Sequence, residues 1–148
     1  MAEDRGDRRW AWVGSAVAAA ALLVGCAPTP PVTVFDQPVA NVTVARSAAA
    51  FQQKVLRART PVVVDFYARW CVPCRSVTLA LARVAPDYAG RVAFVKVNTD
   101  RVPSVAARVG IEVLPTLVLF EDGQEVGRLV GQVGERRLRA EVDALARP

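Results

Sequence analysis

Histidine is missing from this chain of 148 residues, and only three cysteines are present. Without histidine the chain can form neither a Ser-His-Asp hydrolase triad nor a Cys-His protease site, and it has no histidine to ligate a metal. Three thiols are too few for an all-cysteine zinc site and for a disulfide-dense mini-protein. We therefore expect neither a metal nor a cofactor, which leaves the cysteines as the candidates for chemistry.

Lysine is also scarce, since Lys54 and Lys96 are the only two and all other basic residues are arginine. The formal net charge is nevertheless +5. The basic residues are scattered along the chain and form no stripe with interleaved aromatic residues, so we expect no nucleic-acid binding. A length of 148 residues gives room for one domain of ordinary size, which we expect to be a monomer, and excludes a separate cofactor module.

An apolar run from Trp10 to Gly25 is interrupted only by Ser15. A helix needs about 20 residues to span a membrane, so this run is short for a transmembrane segment and has the length typical of a secretory signal. The run ends in the sequence LVGC, which resembles the lipobox of bacterial lipoproteins and whose last residue is Cys26. We predict that residues 1–25 are a cleaved signal peptide and that Cys26 is lipidated. The alternative is an uncleaved signal anchor with an incidental cysteine.

The segment 26–38 is rich in proline and shows no helical period. Such a chain can extend by about 3.1 Å per residue, which suits a tether that lifts a domain off a membrane surface. We therefore predict a tether over residues 26–38 and a folded domain over 39–148. The expected location is the extracytoplasmic side of a bacterial membrane, held by a lipid anchor; the alternatives are a signal anchor in the inner membrane and the periplasm.

From residue 39 onward the hydrophobic pattern alternates between the period of strands and that of helices. Asp122-Gly123 is typical of a tight hairpin turn, and Pro86 is expected to kink or end a helix. The predicted strands are 39–44, 62–67, 92–98, 116–121 and 124–130, and the predicted helices are one between Ser47 and Thr60, then 74–89, 103–108 and a last one from 134. The order βαβαβαββα predicts an α/β fold with a mixed central sheet flanked by helices.

The pentapeptide Trp70-Cys71-Val72-Pro73-Cys74 lies where a predicted buried strand ends and a helix begins. A cysteine at a helix N-terminus has a lowered pKa, because free amides and the helix dipole favour the thiolate. The second cysteine lies in the first helical turn, close enough to form a small disulfide, and Pro73 suits a helix start. The pattern predicts a dithiol site in which Cys71 is the more exposed and more acidic thiol.

The segment 62–74 resembles the active-site strand and loop of the thioredoxin family. The resemblance covers nearly all of residues 39–148 and implies the thioredoxin-like fold. It continues through four further segments, namely Lys96–Asp100, Val109–Ile111, Leu114–Leu117 and Phe120–Gly123.

The resemblance also implies residue roles. Cys71 corresponds to the attacking thiol and Cys74 to the resolving thiol of a redox-active disulfide. Asp65 corresponds to a buried carboxylate that relays the proton of the resolving cysteine, with Lys96 as its partner; the alternative is a structural aspartate at a strand end. Trp70 is expected to cover the disulfide and to shape the docking surface.

Four further residues are expected to shape the active site, namely Val72, Pro73, Leu114 and Pro115. In the family the bond before the residue corresponding to Pro115 is cis, although trans is the default for a proline taken alone. Leu79 stands where many members of the family have a helix-kinking proline, so the helix is expected to be straighter there. The Val-Pro dipeptide resembles that of membrane-anchored TlpA-like proteins, but their inserted segment is missing.

These features predict a membrane-tethered thiol-disulfide oxidoreductase that reduces protein disulfides outside the cytoplasm. Cytosolic thioredoxin reductase cannot reach such a protein, so we expect a membrane electron donor of the Dsb-membrane-reductant or CcdA type. The lack of histidine in the dipeptide argues against a strong oxidant. A thiol oxidase or isomerase with the same site is the first alternative, and a non-catalytic scaffold of an envelope complex is the second.

Overall fold

A five-stranded mixed sheet organises the structure, a computed structural model that describes residue 35 and residues 38–147. The strands are β1 (Val42–Val44), β2 (Val62–Tyr67), β3 (Ala93–Asn98), β4 (Thr116–Glu121) and β5 (Gln124–Val130). Their spatial order is β1-β3-β2-β4-β5. Strand β3 pairs in parallel with β1 and β2, whereas β4 pairs antiparallel with β2 and β5. The predicted α/β fold with a mixed central sheet is confirmed.

The helices follow the predicted order, with differences at their ends. They are α1 (Ala48–Phe51), which continues as a π-helical segment (Gln52–Leu56), then α2 (Cys74–Val84), α3 (Pro103–Val109) and α4 (Glu135–Leu145). The Oγ of Ser47 accepts a hydrogen bond from the amide of Ala50 at 3.1 Å, as expected of an N-cap. The helix predicted over 74–89 ends at Val84 and gives way to a 3₁₀ turn (Ala85–Tyr88) that contains Pro86.

The two faces of the sheet bury different hydrophobic clusters, because successive side chains of a strand point to opposite faces. One face packs Val63 and Phe94 against helices α2 and α4, through residues such as Leu81 and Leu138. The other face packs Val64 and its neighbours against the first helical segment and α3. All six residues of β2 are buried, as predicted for a central strand.

The first strand begins at Val42, three residues later than predicted, because Asn41 adopts a left-handed conformation with a φ of 62°. Its side-chain amide donates hydrogen bonds to the carbonyls of Ala85 and Val92, at 2.8 and 3.1 Å. At the predicted hairpin, Asp122 and Gly123 both have positive φ, as a tight turn of the I′ kind requires.

The predicted signal peptide and the lipidation site at Cys26 lie outside the described residues. Within the described part of the chain, no helix has the length and apolar character needed to cross a membrane. The predicted tether contributes two described residues, Phe35 and Pro38. Pro38 is exposed, whereas the side chain of Phe35 is buried against the domain.

Candidate active site

The two cysteines lie at the junction of the central strand and helix α2. Strand β2 ends at Tyr67 and α2 begins at Cys74, so the short segment between them lies at the C-terminal end of the central strand. In this segment the amide of Cys71 donates to the carbonyl of Ala68, and the amide of Cys74 donates to the carbonyl of Cys71, both at 3.2 Å. Pro73 has helical torsions and is the N-cap of α2. The local backbone therefore places Cys74 in the first turn of α2 and Cys71 in the turn that leads into it.

Cys71 and Cys74 form a disulfide, with their Cα atoms 5.4 Å apart. Both residues are buried in this oxidised form, since Cys71 is 3% exposed and Cys74 is fully buried. Cys71 is thus the more accessible of the two by a small margin, and access to its sulfur in the oxidised form is narrow. The disulfide packs in a cluster with Phe35, Tyr67 and Ala68.

Exposed apolar side chains flank the disulfide along the chain. Trp70 and Val72 are both 70% exposed, although large apolar residues are usually buried. The indole Nε1 of Trp70 donates to a carboxylate oxygen of Asp100 at 3.4 Å, which restrains the ring. An exposed apolar surface beside a reactive disulfide can receive an extended polypeptide.

The loop before β4 contains Leu114 and Pro115, and it brings Leu114 to the disulfide. Leu114 packs against the cluster that contains both cysteines, and the peptide bond from Leu114 to Pro115 is cis. The carbonyl of Pro115 accepts a hydrogen bond from the amide of Gly131 at 2.8 Å. Trp70, Val72 and Pro73 are therefore next to the cysteines along the chain, Leu114 packs against their cluster, and Pro115 follows Leu114.

Asp65 and Lys96 are brought together by the register of the sheet. They occupy directly paired positions on the parallel strands β2 and β3, so their side chains leave the same face. The ammonium Nζ of Lys96 lies 3.8 Å from Oδ2 of Asp65, and both side chains are at least 95% buried. This distance is that of an ion pair and is too long for a hydrogen bond.

The environment of Asp65 shifts its proton affinity. Neither carboxylate oxygen accepts a hydrogen bond from the described part of the chain. Burial raises the pKa of Asp65 from 3.8 to about 6, because the ionised carboxylate loses its hydration, and the nearby Lys96 charge opposes this rise. A carboxyl group with a pKa of about 6 can both accept and return a proton near neutrality.

Two residues of this neighbourhood were absent from the sequence-based site. Thr78 of α2 is buried, and its Oγ accepts a hydrogen bond from Nζ of Lys96 at 2.9 Å. It lies four residues after Cys74, so it shares a helix face with the resolving cysteine, and a polar residue on a buried face was the available signal. Phe35 was assigned to the tether, and as an aromatic residue in a proline-rich segment it offered only a weak signal.

The Cys71–Cys74 disulfide supports two-electron thiol-disulfide chemistry, and Asp65 offers a buried carboxyl group on the strand that precedes α2. Within residues 38–147, no three cysteine or acidic side chains are grouped so that they could hold a metal ion.

Comparison of the amino-acid sequence with known proteins finds a family model and similar proteins. The family model described as Thioredoxin matches residues 42–144. Thioredoxin 1 of Synechococcus elongatus is 46% identical over 103 residues, covering 70% of this chain and 96% of that protein. The thioredoxin of Pseudomonas aeruginosa is 39% identical over 110 residues, covering 74% of this chain and 98% of that protein.

Solved structures agree with the sequence comparison. The crystal structure of Malassezia sympodialis thioredoxin superimposes with a TM-score of 0.67 at 32% identity. The match covers 72% of this chain and 91% of that one.

Proposed function

Because the chain belongs to the thioredoxin family, and is therefore a thiol-disulfide oxidoreductase, we propose that it is a lipid-tethered reductase of protein disulfides outside the cytoplasm. The observation that carries the redox part is the Cys71–Cys74 pair at the start of α2, together with the buried carboxyl group of Asp65 on the strand that precedes this helix. The lipobox-like sequence that ends at Cys26 and the proline-rich segment after it support the tether.

In the first step Cys71 acts as the nucleophile. Its thiolate attacks one sulfur of a substrate disulfide, which forms a mixed disulfide and releases the other substrate sulfur as a thiolate. The N-terminal end of α2 favours the thiolate through the helix dipole. The exposed side chains of Trp70 and Val72 provide apolar contact with the substrate polypeptide.

In the second step Cys74 resolves the mixed disulfide. Asp65 accepts the thiol proton, and the resulting Cys74 thiolate attacks the sulfur of Cys71, so that the second substrate thiolate leaves. The substrate gains two electrons, and the protein is left with the Cys71–Cys74 disulfide. Lys96 stabilises the ionised form of Asp65 and so keeps the base available at neutral pH.

The oxidised protein must then regain two electrons, and the proton held by Asp65 returns to Cys74. Disulfides persist outside the cytoplasm, and cytosolic reductants do not reach that side of the membrane. A membrane carrier of the Dsb-membrane-reductant or CcdA type therefore fits as the donor. A tether of about 3.1 Å per residue would keep the domain within reach of such a carrier.

Lipidation of Cys26 is the expected result that tests the tether. Mass spectrometry of the membrane-extracted protein should find a mature chain that begins at Cys26 and carries acyl chains. Several chains are expected, because a single acyl chain binds a membrane only marginally.

The matched variant is Cys26→Ser, which removes the acylated thiol and leaves Cys71 and Cys74 untouched. It should accumulate as an unprocessed precursor and retain disulfide reductase activity. A wild-type protein that is soluble and cleaved elsewhere, or that keeps its N-terminus, would show that the tether is wrong while leaving the redox chemistry standing.

A further inference from the structure

Phe35 precedes the segment that matches the thioredoxin family, which begins at residue 42, yet it packs at the redox site. Its ring stacks on that of Tyr67, with centroids 5.4 Å apart and an angle of 13° between the planes. Phe35 is only 6% exposed, as is Tyr67 beneath it. A residue of the predicted tether therefore forms part of the wall around the disulfide.

The same two rings lie next to the ammonium group of Lys96. Nζ lies 4.5 Å from the centroid of the Tyr67 ring and 5.4 Å from that of Phe35, both within the range of cation–π attraction. The same Nζ is 3.8 Å from Asp65 and donates to Thr78. Phe35 is thus one contact removed from the carboxyl group that we propose as the proton acceptor.

A cavity of about 490 Å³ adjoins the cluster formed by Phe35, Tyr67 and Lys96. Phe35, Tyr67 and Lys96 line it together with residues of β1 and the loop after it. Despite this neighbouring space, Lys96 is 4% exposed and Asp65 is fully buried. Phe35 and Tyr67 lie against Nζ of Lys96 at the wall of this space, which is large enough to hold water, and Asp65 is not among the residues that line it.

We propose that Phe35 is a positioning residue for the proton relay: stacked on Tyr67, it keeps water from the Lys96–Asp65 pair and so sets how readily Asp65 takes up and releases a proton. This inference rests on the relay role proposed above for Asp65.

Two opposing influences decide the direction in which loss of the ring moves the titration of Asp65. Burial, which raises the pKa of Asp65, outweighs the charge of Lys96, which lowers it. Water admitted beside Nζ weakens both influences, so the larger one dominates the change and the pKa falls. Among the groups around Asp65, β3 contributes the charge of Lys96, β4 pairs the uncharged Leu117 with it, and α2 contributes Thr78 through Lys96. The arginines that line the cavity, namely Arg46, Arg69 and Arg101, are all exposed.

The test is the titration midpoint of the Asp65 carboxyl carbon, followed by NMR in the oxidised full chain. Phe35→Leu should lower the midpoint by about one unit, a tenfold change in proton affinity, because a smaller side chain leaves a path for water. Phe35→Tyr retains a stacked ring and should keep the wild-type midpoint.

The matched control is Phe120→Leu. Phe120 is 5% exposed and contacts another ring, that of Phe51, but it packs in the cluster on the opposite face of the sheet. This variant should lose stability without moving the Asp65 midpoint. An unchanged midpoint in Phe35→Leu, or an equal shift in Phe120→Leu, would overturn the inference. The midpoint is measured without substrate, so it tests Phe35 independently of the proton relay. If Phe35→Leu shifts the midpoint as expected but reduces disulfides at the wild-type rate, the relay role of Asp65 is refuted and the effect of Phe35 on Asp65 stands.

Discussion

Replacing Cys74 with alanine is expected to leave the protein covalently bound to its substrates through Cys71. The first step needs only the Cys71 thiolate, whereas release of the product needs a second thiol on the enzyme. Turnover should therefore stop after one attack, and disulfide-linked adducts should accumulate. Gel electrophoresis without reductant, followed by mass spectrometry of the adducts, measures the result.

Two further variants make this experiment specific. Cys71→Ala should form no adducts, because the remaining Cys74 is buried and lies within the helix. Both variants should be tested with Cys26→Ser, which excludes adducts through the third cysteine. Adducts that form equally well through Cys74 would reverse the two roles.

Replacement of Asp65 by asparagine is expected to raise the free energy of unfolding and to lower the rate of disulfide reduction. The pKa of Asp65 is about 6 in the folded protein against 3.8 for an ordinary aspartate, so the folded state disfavours the ionised form. The resulting destabilisation is absent below about pH 4, grows as the pH rises through 6 and is complete above it. It corresponds to about 3 kcal/mol, which already includes the opposing attraction of Lys96. We expect Asp65→Asn to gain up to about 3 kcal/mol in free energy of unfolding at pH 7.5 and nothing at pH 4, measured by urea denaturation.

The same variant should slow reduction of a protein disulfide such as insulin by about 100-fold, because Cys74 loses its proton acceptor. Lys96→Met is the matched control, since it keeps the carboxyl group and removes the cation, which should raise the pKa of Asp65 above 6. Its rate should depend on pH with a midpoint displaced upward. An unchanged rate in Asp65→Asn, together with lost stability, would make Asp65 a structural residue.

The sequence predicted the parts of the fold that depend on local pattern. The buried strand at 62–67 was visible as a continuous apolar run, and the hairpin was visible at Asp122-Gly123. The π-helical segment at Gln52–Leu56 was not predicted, because it shares the apolar spacing of an α-helix within such a short stretch. The start of β1 was predicted too early, because the side-chain hydrogen bonds of Asn41 reach residues more than forty positions away.

Some residues of the candidate site could be predicted from local sequence, and others are shown only by the tertiary fold. The cysteines and Asp65 were recognisable from one segment of sequence, and the partnership with Lys96 came from family resemblance. The structure supplies the register that places Lys96 opposite Asp65. Thr78 and Phe35 reach Lys96 only through the tertiary fold, so neither could be assigned from local pattern. Phe35 in particular lies in a proline-rich segment whose composition predicted no packing at all.

The reduction potential of the Cys71–Cys74 couple, measured by equilibrating the full chain with glutathione buffers at pH 7, tests the reductase proposal most directly. We predict a value near that of thioredoxin, about −270 mV, because the Val-Pro dipeptide lacks a histidine that would stabilise the reduced form. About 30 mV corresponds to a tenfold change in the equilibrium constant, so this value lies about 10⁵-fold away from that of strong thiol oxidants at about −120 mV. A potential near −120 mV would contradict the account and would favour a thiol oxidase.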